Sequence, residues 1–166
     1  METLGISVLG GIIASAIFFL VMFVLRPRLL VSPYICLQSD ATGQHGYSIK
    51  FVNAGLRNAM DIHVRLYYAE TNMAGKGDYT HRTQILDSHV PFLPACDRDD
   101  AKHRYAFRIS GKGNLKELWK DDGHLILLIT ACDSFSQVRR VIRYDYTSKA
   151  VLKFGEFGVG KDCDVH

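Results

Sequence analysis

Asp61-Ile62-His63-Val64-Arg65-Leu66-Tyr67-Tyr68 is the stretch that decides the fold. Ile62, Val64, Leu66 and Tyr68 alternate with Asp61, His63, Arg65 and Tyr67, the period of two that puts one set of side chains on each face of an extended strand. One face should meet a core and the other water, and His63 falls on the outward face. Upstream, Tyr47, Ile49 and Phe51 alternate with Ser48 and Lys50, and Asn53-Ala54-Gly55 supplies the turn between the two strands. Leu29 to Gln38 can form a still earlier strand.

Downstream, Asn72, Gly75, Gly77 and Asp78 predict a loop from Glu70 to Tyr79, followed by a strand from Thr80 to Leu86. Pro91, Pro94 and the charged stretch from Cys96 to Asp100 predict an irregular connection. Tyr105, Phe107 and Ile109 alternate with Arg104, Ala106 and Arg108, and Asn114 can cap a short helix, LKELWK, that Asp121-Asp122-Gly123 stops. Leu125 to Ile129 is a continuous apolar run suited to a central strand; Val138, Ile142 and Tyr144, then Val151, Leu152 and Phe154, complete the set. About seven or eight short strands with turns between them predict an all-β, immunoglobulin-like β-sandwich. A parallel α/β sheet would need crossover helices that this pattern lacks.

The N-terminal segment has a different period. Leu4 to Leu25, LGISVLGGIIASAIFFLVMFVL, carries no charge. As a helix it is roughly 33 Å long, enough to cross a hydrocarbon core of about 30 Å. Met1-Glu2-Thr3 has no side-chain cation and no small-residue cleavage site ends the run, which disfavours a signal peptide. Arg26 and Arg28 follow the run and Glu2 precedes it, so the expected topology is single-pass, with the N-terminus outside and the C-terminal domain cytoplasmic. The expected organisation is therefore residues 1–28 as transmembrane helix and flanks, 29–157 as cytoplasmic sandwich, and 158–166 as a flexible C-terminal tail. Ser7, Gly11 and Ser15 recur every four residues, as do Gly10 and Ala14, a stripe that favours helix association in lipid and predicts a homo-oligomer.

Composition excludes several chemistries. A net charge of +3 over 166 residues is too small for a nucleic-acid binder. Cys36, Cys96, Cys132 and Cys163 are widely spaced, without a CxxC pair, and read as reduced thiols of a cytosolic domain. Gly155 to Asp162, GEFGVGKD, matches a phosphate-binding loop until Asp162 replaces the magnesium-binding Ser or Thr, and too little chain follows to form the helix the motif requires. Asp162, Cys163, Asp164 and His166 group metal-ligating types on a segment expected to be untethered. Asp97, Asp99 and Asp100 lack the Gly and Glu of an EF-hand. The expectations are thus no metal, no cofactor and no enzyme activity. Arg139 and Arg143 share one strand face, with Arg140 on the other, and form a candidate anion or partner patch.

The order of segments resembles the cytoplasmic domain of inward-rectifier potassium channels. The similarity starts at Arg26-Pro27 and runs through SIKFVNAGLRNAMDIHVRLYY (48–68), then resumes in VPFLPACDRDDAKHRYAF (90–107), NLKELWKDDG (114–123), HLILLITACDSFSQ (124–137) and VIRYDYTSKAVLKFGEF (141–157). The resemblance implies an immunoglobulin-like sandwich that assembles as a tetramer and responds to ligands such as anionic lipid. It puts Leu4 to Leu25 in the place of the pore-lining helix, and Arg26 and Arg28 where that family contacts lipid phosphate. The family has a richer basic cluster there. The selectivity filter is missing, so potassium selectivity is not expected of this chain by itself. The functional expectation is a single-pass, membrane-tethered sensor or interaction module, with the bilayer, its own copies and an unidentified cytosolic ligand or protein as partners. The alternative is an oligomeric effector that forms a pore or disrupts the bilayer on binding a cytosolic signal such as a nucleotide.

Overall fold

The computed structural model describes residues 2–24, 26–39, 45–74, 77–97, 99–100, 102–120 and 122–166, with side chains described within these ranges except 2–9, 23–24 and 71–79. The chain begins with α1 (Glu2–Val24) and continues as β1 (Leu29–Ser39), β2 (His45–Asn53), β3 (Ala59–Ala74), β4 (Gly77–Leu93), β5 (Ala106–Lys112), α2 (Leu115–Leu118), β6 (Gly123–Asp133), β7 (Arg139–Tyr146) and, after a 3-10 turn at Lys149–Val151, β8 (Leu152–Phe154).

The strands form two four-stranded sheets, in the orders β5-β2-β1-β8 and β4-β3-β6-β7. All neighbours are antiparallel except β1 and β8, which run parallel through Ile35↔Leu152 to Leu37↔Phe154. The inner faces carry the alternating residues read from the sequence. Ile35, Ile49 and Phe51 from one sheet meet Ile62, Val64, Leu66, Leu125, Leu127 and Ile129 from the other, each fully buried. This is the all-β sandwich that a period of two on both sheets requires.

Pro33 falls in the interruption of the β1–β2 ladder between Val31 and Ile35, where its missing N–H costs no pairing. Trp119 closes one end of the core, buried with its indole N–H donating to the Gly123 carbonyl at 2.7 Å. The helix before it is capped as expected, since the Asn114 side chain accepts from the Lys116 N–H.

Three expectations are corrected. Within the stretch read as a loop from Glu70 to Tyr79, residues 70–74 and 77–79 are strand, because β3 and β4 stay paired through Ala74↔Gly77. Ladder hydrogen bonds from a neighbouring strand outweigh the weak strand preference of Asn, Gly and Asp. Pro91, read as part of an irregular connection, lies inside β4, which tolerates it as the edge strand of its sheet. The third concerns residues 158–166, which are folded rather than a flexible tail. Glu156 and His166 exchange backbone hydrogen bonds at 3.0 and 2.9 Å, and Gly158 N donates to Asp164 O at 3.0 Å.

The helix bounds agree with the apolar run to within two residues at each end. Its described side chains, 10–22, cover roughly 20 Å of axis, and among the described residues no helix is long and apolar enough to cross a membrane.

Candidate functional site

A cavity opens where the segment after α1 meets the sandwich. The Asn53-Ala54-Gly55 turn is built around the buried Asn53 side chain, whose amide donates to the carbonyls of Arg57 at 2.8 Å and Pro94 at 2.9 Å while its oxygen accepts from Gly55 N at 2.9 Å. Ala54 N donates to Arg28 O at 2.7 Å, and Arg140 reaches from β7 to the Pro27 carbonyl at 3.2 Å. Pro27 and Arg28, after α1, are therefore held by the turn that follows β2 and by β7, which are distant in sequence.

Arg26, Arg28, Leu56, Arg57 and Asp133 line a cavity of about 480 Å³ at this corner. Asp133 is buried, and its Oδ1 accepts from the N–H groups of Phe135 (3.0 Å) and Ser136 (2.8 Å) and from the Ser136 hydroxyl (3.0 Å). Its Oδ2 faces Arg57 Nε at 3.5 Å. Burial pushes the Asp133 carboxyl up, but the donors from Ser136 and Phe135 and the Arg57 charge outweigh it, so the net shift is downward. Arg57 also lies over the Phe135 ring at 4.6 Å. Leu56 is 93% and Phe135 74% exposed, so the corner presents two apolar tips among arginines. Such a rim can hold an anion against guanidinium groups while its apolar tips enter an apolar phase.

The predicted site residues separate. Arg26 and Arg28 line the junction cavity. Arg139 and Arg143 share the outer face of β7 as alternation requires, but Arg139 pairs with Asp61 at 3.0 Å and Arg143 with Asp145 at 2.9 Å. They do not form an open basic patch, because Asp145, two positions along the same strand face, pairs with Arg143 and the distant Asp61 folds against Arg139. Gly10, Gly11, Ala14 and Ser15 lie on α1, where among the described residues nothing beyond the neighbouring helix backbone comes within 4 Å of a Cβ built at Gly10 or Gly11. The Ser15 hydroxyl donates to the Gly11 carbonyl at 2.8 Å. The side chain of Ser7 lies outside the described residues.

The phosphate-loop-like segment has the wrong polarity for a phosphate. Lys50, buried on the outer face of β2, donates to the carbonyls of Gly158, at 2.6 Å, and of Asp162. Its cross-strand neighbour Arg108 donates to the Phe157 carbonyl at 2.7 Å. Carbonyl oxygens thus converge on a cation, where a phosphate needs converging N–H groups. Desolvation lowers the Lys50 pKa. Ser32 donates to Cys163 O at 2.7 Å, and His166 Nε2 lies 2.9 Å from Asp162 Oδ2, so the terminal group of metal-ligating types is pinned. Burial raises the Cys163 thiol pKa.

A second cluster, not anticipated as a group, lies on the outer face of β3 and β4. His63 and His89 are register partners, and their Nε2 atoms lie 3.0 and 3.1 Å from Asp61 Oδ1. The rings stack with centroids 4.6 Å apart. Asp61 has a left-handed backbone, φ 49°, at an irregularity in the β3–β6 register. Hydrogen bonding from His63 depresses its carboxyl below the ordinary range, with further lowering from the His63 charge, His89 and Arg139. Alternation alone placed Asp61 and His63 outward; finding His89 beside them needed the register of β4.

The fold and the junction define a class: a two-sheet β-sandwich joined without a spacer strand to an apolar N-terminal helix. No protein-family model matches the sequence. No curated protein matches it either. Among solved structures, the chain is similar to the sporulation control protein Spo0M from Bacillus subtilis, at 5% identity and a TM-score of 0.39, over 77% of this chain and 49% of that one. The chain thus spans about half the length of Spo0M. It is also similar to the putative ApaA protein from Bordetella pertussis, at 11% identity and a TM-score of 0.37, over 74% of this chain and 95% of that one. A β-glucosidase from Streptomyces venezuelae, DesR, matches at 15% identity and a TM-score of 0.35, over 72% of this chain and 15% of that one. Likenesses at this level assign neither family nor function.

Proposed function

We propose that the chain is a non-enzymatic, membrane-tethered sensor or interaction module: α1 crosses the bilayer once, and an immunoglobulin-like sandwich stands on its cytoplasmic face. The observation that carries this reading is the surface of α1. Ile12, Ile13, Ile17, Phe18, Phe19, Leu20 and Val21 are each 47–71% exposed, and at 100° per residue they point all round the helix. A helix apolar on every side needs apolar surroundings, and the described sandwich residues do not cover it. The full run from Leu4 to Leu25 is long enough for a hydrocarbon core, and Arg26 and Arg28 lie where headgroups would begin.

The arginine-lined corner supports a sandwich seated against the headgroups, with Leu56 and Phe135 as the apolar tips. Membranes from cells expressing the full chain should retain it through alkaline carbonate extraction, and a membrane-impermeant thiol reagent should label Cys96 and Cys163 only after the cytoplasmic side is opened. Release by carbonate would overturn the spanning helix. Labelling of intact cells would overturn the orientation.

The second reading, an oligomeric effector that opens a pore or disturbs the bilayer on a cytosolic signal, is favoured by the open space at Gly10 and Gly11. The Ser15 hydroxyl is satisfied by the Gly11 carbonyl, so that part of the stripe offers close approach without leaving this hydroxyl unpaired. Kinship with inward-rectifier cytoplasmic domains would make the assembly a tetramer.

A further inference from the structure

We propose that Asp61, His63 and His89 bind one divalent transition-metal ion of the zinc class on the outer face of the β3–β4 ladder, with the remaining coordination positions open to solvent. Two imidazole nitrogens and one carboxylate oxygen are the donor set of open zinc sites, which keep a position for water or a further ligand. The three candidate ligand atoms, His63 Nε2, His89 Nε2 and a carboxylate oxygen of Asp61, lie within 4.8 Å of one another. Both nitrogens are already 3.0–3.1 Å from the same oxygen, Asp61 Oδ1. Ligand atoms bonded at about 2.05 Å to a tetrahedral ion are about 3.3 Å apart, so the site accepts an ion with small side-chain movements.

The backbone is arranged to bring these groups together. His63 and His89 face each other directly across an antiparallel ladder, which fixes both rings on one surface. Asp61 falls between the register pairs Met60↔Phe92 and Ile62↔Val90, across from a stretch that contains Pro91, which has no N–H to contribute to the ladder. There the chain takes φ 49°, an unfavourable conformation for a residue with a Cβ, and the carboxylate is turned toward the two rings. Strain of this kind at a register irregularity is a common device for aiming a functional side chain. Arg139 Nη2 holds Asp61 Oδ2 at 3.0 Å and its Nε is 3.4 Å from Cys132 Sγ, so the carboxylate is oriented with Oδ1 left to the rings. That is the outer-shell support ligating carboxylates usually have. The side chains of His63, His89 and Asp61 are 39%, 49% and 43% exposed, which leaves the ion accessible.

The test is zinc titration of the full-length protein in detergent, with zinc ion alone as the probe, read by calorimetry and by metal content after dialysis. Cobalt absorption in the visible range reports the coordination geometry. The expected result is one ion per chain, with affinity reduced at least about tenfold in each of His63→Ala, His89→Ala and Asp61→Asn. Asn tolerates the left-handed backbone at position 61, so that variant keeps the local fold. Cys163→Ser combined with His166→Ala removes the thiol and imidazole of the terminal group and should leave the affinity unchanged. Far-UV circular dichroism verifies folding of each variant. Wild-type protein that shows no saturable binding up to about 100 µM zinc would overturn the proposal, as would variants at His63 and His89 that bind like wild type.

Discussion

Lys50 is placed by strand alternation on the outer face of β2, where a lysine would ordinarily reach water, yet it is 1% exposed because the last dozen residues fold over it. Its ammonium is the cation on which the Gly158 and Asp162 carbonyls converge. Lys50→Met should lower stability by about 1–3 kcal/mol through the loss of these charge-assisted bonds. It should also make Lys161 the earliest site of trypsin cleavage, measured by urea unfolding and timed proteolysis; a cleavage pattern like that of wild type would show that other contacts hold the segment. Asp133 leads to a pH prediction. Its folded-state pKa lies below the ordinary value of 3.8, so its contribution is present above that value and is lost as pH falls through the folded pKa. The urea midpoint should therefore drop on acidification below about pH 4. Asp133→Ala should flatten that part of the profile and lower stability at neutral pH by about 1–3 kcal/mol, because the N–H groups of Phe135 and Ser136 lose their acceptor.

At the scale of elements, β3 and β4 were legible in part. The alternation of Ile62 to Tyr68 is a local property of the chain and survives in the structure as an inward row of buried residues. The extension of the hairpin to Ala74 and Gly77 was not legible, because Asn72, Gly75, Gly77 and Asp78 favour turns unless a neighbouring strand supplies partners. The short helix before β6 was legible, since Asn114 and the turn after Trp119 are local signals. What it does in the fold was not. Trp119 plugs the core between the sheets, and Trp119→Ala should cost about 3–5 kcal/mol, seen as a fall in the thermal midpoint with the two-state transition retained. A change below about 1 kcal/mol would mean that the end of the sandwich collapses to fill the space.

At the scale of the whole molecule, the helix and the sandwich make different demands on their surroundings. The sandwich has buried its apolar face, whereas α1 keeps Phe19 71% and Leu20 64% exposed. The native mass of the full-length protein in detergent should exceed that of one chain if the small-residue stripe drives association. Gly11→Leu should then shift it toward the monomer while the circular dichroism of the sandwich stays the same. An unchanged mass would leave a simple tether. The same measurement on Leu29 to His166 separates assembly through the helix from assembly through the sandwich.

The sequence by itself determined the features that depend on neighbours a few positions away: the two-residue period of the strands, the uncharged helical run, the Asn114 cap and the Asn53 turn. Each follows from backbone geometry and side-chain spacing that no distant residue has to complete. Only the tertiary structure decided which residues meet. Lys50 is 108 positions from Gly158, Arg139 is 78 from Asp61, and His89 is 28 from the Asp61 it faces. These meetings depend on strand register and sheet order, which are set when the whole apolar surface finds its lowest free energy at once. For that reason the segment expected to be a flexible tail is folded over Lys50, Arg139 and Arg143 are each paired with a carboxylate, and two stacked histidines sharing one carboxylate oxygen emerged as a group.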